Sequence, residues 1–206
     1  ANTRSLDFAA SGARVAVADD PLLALTKSLT LEAFIRPRSG GSGDWGWGMI
    51  VFRGDDRGGL DPYYIGLNGN TAYFQVCSPS GQNAWLTYGI QTFNTWMHIA
   101  GTLDDATGAM NLYVDGVSVA STITSVRPLG VLTGPNAGLG IGSCQAGNYN
   151  MTLNGLIDEV RISDVALQPS QFLDASPSPV PEIDPAGFAS VLTLVAGALG
   201  LVERRR

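Results

Sequence analysis

Between Leu6 and Ile162 the apolar residues fall in short runs, several alternating with polar residues and most bounded by Gly, Asp, Asn or Pro. A period of two sends successive side chains to opposite faces of an extended chain, so each such run buries one face and wets the other. Strand follows strand at intervals of roughly 8–12 residues with no helical stretch between, a rhythm that leads to an antiparallel sandwich and not to βαβ units. The pattern predicts strands at Ser5–Ala9, Arg14–Ala18, Ser28–Pro37, Trp47–Arg53, Tyr63–Leu67, Ala72–Cys77, Ala84–Gly89, Trp96–Leu103, Ala109–Val114, Val117–Ser121, Ala137–Ile141 and Leu156–Ile162. Two hairpin turns are legible, Asn68-Gly69 and Asp115-Gly116, because both dipeptides supply the positive φ angles that tight hairpins require.

The chain has 206 residues, of which 45% are hydrophobic and 15% charged, enough for one substantial core. Its 26 glycines and 11 prolines have no collagen-like period and sit between the β-rich runs, as many tight turns require. A net charge of −6, with Lys27 as the single lysine, leaves no basic stripe to neutralise phosphates, and nucleic-acid binding is excluded. The sequence begins at Ala1 with no charged and apolar leader before it, and the expectation is a mature exported chain, secreted to the cell surface or extracellular matrix of a bacterium. Cys77 and Cys144 either pair as a disulfide, which an oxidising compartment permits, or remain two buried free thiols.

Leu167–Asp174, with Pro169 near its start, has room for a turn or two of helix, and the β domain is expected to span residues 1–174. Residues 175–185 form a Pro-rich linker whose alternating prolines (Pro177, Pro179, Pro181) favour an extended spacer and cannot enter a sheet interior. Residues 186–206 carry an apolar, small or hydroxylic run from Ala186 to Val202, then Arg204, Arg205 and Arg206. As a helix this run of about 17 residues spans about 25 Å, the short end of what crosses a bilayer, and the arginines suit a cytoplasmic end. A buried core helix is the alternative. Ala189, Thr193 and Gly197 recur at i, i+4 and i+8, a stripe of small residues that permits close helix–helix approach and so favours self-assembly.

Three blocks resemble the laminin-G-like jelly rolls of the concanavalin A-like lectin/glucanase superfamily: Ser28–Pro37, with Phe34 where Trp is commoner; Trp96–Asp104 continuing through Gly108 to Leu112–Gly116; and Asn154–Ile162 followed by Ala166-Leu167. The resemblance covers about residues 5–174 and implies an all-β, two-sheet jelly roll. The tail resembles PEP-CTERM sorting signals, with Pro181, Glu182 and Pro185 as the motif, expanded by Ile183-Asp184, and Arg204–Arg206 as the basic end. That likeness implies export and hand-over to an exosortase-type transpeptidase at the membrane.

Glycosidases of this superfamily place a Glu-x-Asp-x-Glu strand in their groove. Here the β domain contains only Glu32 and Glu159, both within blocks that are structural in the family, and a carboxylate pair would have to come from loop aspartates. No enzyme is therefore expected. His98, the sole histidine, has no Gly-x-Ser-x-Gly elbow to serve and reads as a packing and hydrogen-bonding residue. The resemblance implies a structural calcium on Asp158 with backbone carbonyls near Phe8 and Gly41, and the alternative is that Asp158 satisfies backbone N–H groups. Trp45, Trp85, Tyr88 and Tyr63 are candidate platforms for sugar rings, Trp45 being the one expected to be exposed, against the alternative that aromatics such as Trp47, Tyr64 and Trp96 face the core. Two roles remain: a lectin-like module for glycans or other surface components, or a structural subunit of an extracellular filament or surface layer, a homopolymer joined through its tail helix.

Overall fold

The structure, a computed structural model, describes residues 5–41, 43–146 and 149–173. The linker, the sorting motif Pro181, Glu182 and Pro185, the stripe Ala189, Thr193 and Gly197 and the arginines Arg204–Arg206 lie outside the described residues.

Twelve strands form two six-stranded antiparallel sheets. They are β1 (Leu6–Asp7), β2 (Val15–Ala18), β3 (Leu29–Pro37), β4 (Trp47–Gly54), β5 (Tyr63–Asn68), β6 (Thr71–Cys77), β7 (Asn83–Gly89), β8 (Met97–Leu103), β9 (Ala109–Val114), β10 (Val117–Ile123), β11 (Gly138–Ile141) and β12 (Gly155–Ser163). The first sheet has the order β1-β12-β3-β8-β9-β10 and the second β2-β11-β4-β5-β6-β7. Each of the twelve expected runs is a strand. Among the described residues helix is confined to three single turns, one of them Pro169–Gln171.

The core lies between the sheets and is filled by alternate residues. Leu29, Leu31, Ala33 and Ile35 of β3 meet Ile65 and Leu67 of β5 and Ala72, Phe74 and Val76 of β6, all fully buried. Asp115 and Gly116 both take positive φ (49° and 74°), and Val114 pairs with Val117 across them as a two-residue hairpin. In the other hairpin Asn68 pairs with Thr71, so the loop is Gly69-Asn70, one residue on from Asn68-Gly69; Gly69 alone has the positive φ.

Two bulges decide what the outer faces carry. In β4 the register shifts between Met49 and Val51, so that Ile50 and Val51 both join the core while Met49 and Phe52 both emerge on the outer face of the second sheet. In β12 the shift falls between Asp158 and Arg161, where Glu159 has φ 49°, and it brings Arg161 opposite Glu32 on the outer face of the first sheet.

Candidate ligand groove on the second sheet

Parity builds the floor of the site. With Ile65, Phe74 and Val76 in the core, their neighbours Tyr64, Tyr73 and Gln75 must point outward, and the register sets Phe52 beside Tyr64, Tyr64 beside Gln75 and Gln75 beside Trp85. Trp47 stands edge-on to Tyr64 (5.6 Å between centroids) and Tyr73 (4.9 Å), and Phe52 stacks on Tyr64 at 5.9 Å. The Tyr64 hydroxyl donates to Gln75 Oε1 at 2.9 Å, which fixes both side chains. Gly140, the partner of Phe52 on β11, has no side chain, and the chain at Ser143 and Cys144 folds back onto the sheet there; an added Cβ would meet the Ser143 carbonyl at 2.3 Å.

Two walls enclose the floor, one from the loop 55–62 and one from the segments around residues 144–146 and 149–151. Together they bound a cavity of about 360 Å³ lined by Trp47, Tyr64, Gln75, Asp56, Asp61 and Gln145 among others. The first wall is pinned from beneath. Asp55 is fully buried and accepts hydrogen bonds from the Arg57 guanidinium and from the N–H groups of Thr133 and Gly134; burial pushes its carboxyl up, but these donors hold it below the usual carboxylate range. Asp56 joins the walls, accepting from Asn136 Nδ2 at 2.6 Å and from Gln145 Nε2 at 3.0 Å.

At the rim, Trp45 is 70% exposed and lies 5.4 Å from the Tyr149 ring. Its backbone is left-handed (φ 54°, ψ 22°), a conformation that costs a bulky residue about 1–3 kcal/mol. Neighbouring bonds impose it: Asn68 Nδ2 donates to the Trp45 carbonyl, and the N–H of Gly69 donates to that of Gly46. A strained residue that presents an indole to solvent beside a cavity is a pattern found at binding sites.

Asp61 is the electrostatic anomaly. Partial burial, together with the charge of Asp55, pushes its carboxyl up to about 7, and no hydrogen bond or ion pair to that carboxyl occurs among the described residues. Burial first, and Asp61 second, also push up the Tyr64 hydroxyl and the Cys144 thiol, the latter to about 12.

Of the four expected platforms, Trp45 lines the cavity, and Trp85, 57% exposed, extends the same face at its edge strand. Tyr63 and Tyr88 do not belong to it. Tyr63 is fully buried in the core with its hydroxyl on the Leu23 carbonyl, and Tyr88 is the partner of Ala72 and packs on the core. The expectation that Trp47, Tyr64 and Trp96 fill the core also fails: the first two form the groove floor, and Trp96 is 41% exposed at the entrance to β8. Cys77 and Cys144 are both free and buried, so the disulfide does not form; Cys77 Sγ donates to the Gly59 carbonyl and Cys144 packs in the groove cluster.

Nor does the structure bring the calcium set together. Asp158 pairs with Phe34, whose ring meets His98 on the outer face of the first sheet, and its Oδ1 accepts the Glu159 N–H at 2.9 Å. Phe8 is bonded three residues down the strand, at Gly155, while Gly41 packs on the Leu67 carbonyl of the second sheet and on the Gly46 carbonyl in the turn before β4. Among the described residues no three His, Cys, Asp or Glu side chains are grouped to hold a metal.

The profile of the concanavalin A-like lectin/glucanases superfamily matches residues 9–171, the whole of the sandwich from β2 to the final turn. The chain belongs to this superfamily. No curated protein matches the chain significantly. Among solved structures, a candidate carbohydrate binding protein from Bacteroides ovatus is 22% identical with a TM-score of 0.59, over 79% of this chain and 44% of that one. The chain thus spans less than half the length of that relative. The CBM40 of the Ruminococcus gnavus IT-sialidase is 11% identical with a TM-score of 0.62, over 81% and 92% of the two chains, and has also been solved bound to α2,3- and α2,6-sialyllactose. A heptameric SAP-like pentraxin from Limulus polyphemus is 17% identical with a TM-score of 0.51, over 73% and 70%. At these identities the likeness concerns the fold.

Proposed function

We propose that the domain is a non-catalytic, lectin-like module that binds glycans in the groove on the outer face of its second sheet. The observation that carries this reading is the aromatic floor of Trp47, Phe52 and Tyr64 under a 360 Å³ cavity, with Trp45 held exposed at its rim. Sugar rings present an apolar face of C–H groups and an equator of hydroxyls, and such a site offers rings for the one and amides and carboxylates for the other. That the CBM40 of similar fold binds sialyllactose supports the class of ligand. Neither strand glutamate reaches this face: Glu32 is buried on the first sheet, and Glu159 sits in the β12 bulge. Asp56 and Asp61 are the loop carboxylates of the groove, and both Asp56 oxygens accept hydrogen bonds from neighbouring amides.

Display outside the cell, with the tail handed to an exosortase-type transpeptidase, completes the proposal and rests on the sequence of residues 175–206. A glycan array followed by calorimetric titration of the best hit tests the binding. Saturable binding that falls at least tenfold in Trp45→Ala supports the reading; binding that ignores Trp45 and Trp47 removes the groove from it, and release of free sugar from the hit would replace the lectin with a hydrolase.

A further inference from the structure

Two acceptors in the groove have no donor among the described residues. The Asp61 carboxyl is one. The other is Gln145 Oε1: the side chain is 7% exposed, lines the cavity and has no partner on that oxygen among the described residues. Its orientation is determined, because the amide nitrogen donates to Asp56 Oδ1 at 3.0 Å and the reverse orientation would set oxygen against carboxylate. A buried polar atom left unpaired costs about 1–3 kcal/mol, and a ligand that brings a donor relieves that cost.

The charged and titratable groups around Asp61 come from its own loop, two strands and the opposite wall. Its own loop contributes Asp55, Asp56 and Arg57, β5 contributes Tyr64, and Cys77 and Cys144 adjoin it from β6 and the opposite wall. Arg57 is paired with the buried Asp55, and Arg14 donates to the Cys144 and Ala146 carbonyls. Both of these cations are thus engaged, and neither is paired with Asp61. An acidic sugar would add a further carboxylate to this field, and a neutral one would bring donors without charge. A cation brings both.

We infer that the groove selects a saccharide bearing a free amine, a 2-amino-2-deoxyhexose unit whose ammonium is held by Asp61 and Gln145 while the ring stacks on the aromatic floor. This rests on the reading of the groove as a glycan site and names the sugar class within it. The elevation of the Asp61 carboxyl to about 7 fits a site that lacks its counter-ion until the ligand supplies one.

The test is calorimetric titration of the full chain at pH 6.5 and low salt with a glucosamine tetramer, its fully N-acetylated counterpart and sialyllactose. The glucosamine tetramer is expected to bind at least tenfold more tightly than the acetylated one, with sialyllactose weakest. Asp61→Asn, nearly isosteric, should abolish that preference, whereas Asp164→Asn, which removes the same charge at an exposed position elsewhere, should keep it and leave the affinity for the acetylated tetramer unchanged. The comparison among ligands on the wild-type chain stands even if a variant fails to fold. Equal or tighter binding of the acetylated tetramer or of sialyllactose, or a preference that survives in Asp61→Asn, overturns the inference while leaving the glycan reading intact. If no saccharide binds, here or on an array, both fall.

Discussion

The two outer faces of the sandwich are built from the same alternation and have opposite fates. On the first sheet the chain covers its own work. Thr30 donates to the Val165 carbonyl and accepts the Leu167 N–H, and Phe172 lies over the rings of His98 (5.3 Å) and Tyr113 (5.0 Å). Beneath it, the fully buried Glu32 accepts from His98 Nε2 (2.9 Å), from Arg161 Nε (2.5 Å) and from the Leu173 N–H (2.9 Å). Burial alone would push this carboxyl up, yet the donors hold it below the ordinary range. On the second sheet the two walls close only partly over the aromatic floor, leaving a cavity of about 360 Å³, and Asp61, without a donor among the described residues, is pushed the other way. Sealed polar groups fasten a segment of chain, and unsealed ones await a partner; the direction of the carboxyl shift separates Glu32 and Asp55, which have donors, from Asp61, which has none among the described residues.

The comparison is broken most severely at Glu32. Glu32→Ala strands the His98 and Arg161 donors and frees the Leu173 N–H, and removing one partner of a buried charged network costs about 3–5 kcal/mol. Urea denaturation should show a loss of that size. Glycan titration at a temperature where the variant remains folded should be unchanged, and a parallel loss of affinity would mean that the faces are coupled through the core.

Asp61 yields the next effect, of opposite sign. Its carboxyl titrates near 7 when folded and near 3.8 when not, so between those values the folded state holds the proton more tightly and stability falls as pH rises from about 4 to 7. Glu32 and Asp55, whose carboxyls are lowered by folding, behave inversely: their contribution is present above the unfolded value and is lost as pH falls through the folded one. Wild-type stability should therefore peak in the weakly acid range. Asp61→Asn should gain about 1–3 kcal/mol at pH 8 and nothing near pH 4, the full shift being discounted because the group is only partly buried. A variant less stable than wild type at pH 8 would show that Asp61 has a donor after all.

The strands were legible because each is a short apolar run closed by turn residues, and the twelve runs needed no tertiary information. The floor was legible in principle. Ala72, Phe74 and Val76 alternate, so Tyr73 and Gln75 must lie on the other face; either two-residue loop at Asn68–Asn70 then aligns Tyr64 with one of them and commits Tyr63 to the core. The same parity sends Tyr88 inward with Leu86 and leaves Trp85 outside. Judging aromatics one at a time misassigned Tyr63 and Tyr88. Trp47 and Phe52 were harder, because five residues apart they share a face only through the β4 bulge, which no turn signal marks. Asp61, Gln145 and Tyr149 come from loops far apart in the chain, and their meeting is a product of closure between strands.

Trp45 should have the smallest effect on stability. Its indole is largely in solvent, so truncation removes little buried area, and relief of crowding at a left-handed residue offsets part of that loss. Trp45→Ala should accordingly unfold within about 0.5 kcal/mol of wild type, and Trp45→Gly, free of the steric restriction on positive φ, should be at least as stable. Both variants should nonetheless bind sugar roughly tenfold more weakly, as expected when one stacking ring is lost. If instead Trp45→Gly is clearly less stable, the indole packs on Tyr149 for the fold's sake, the strain at Trp45 is structural, and the rim ceases to distinguish the open face from the sealed one.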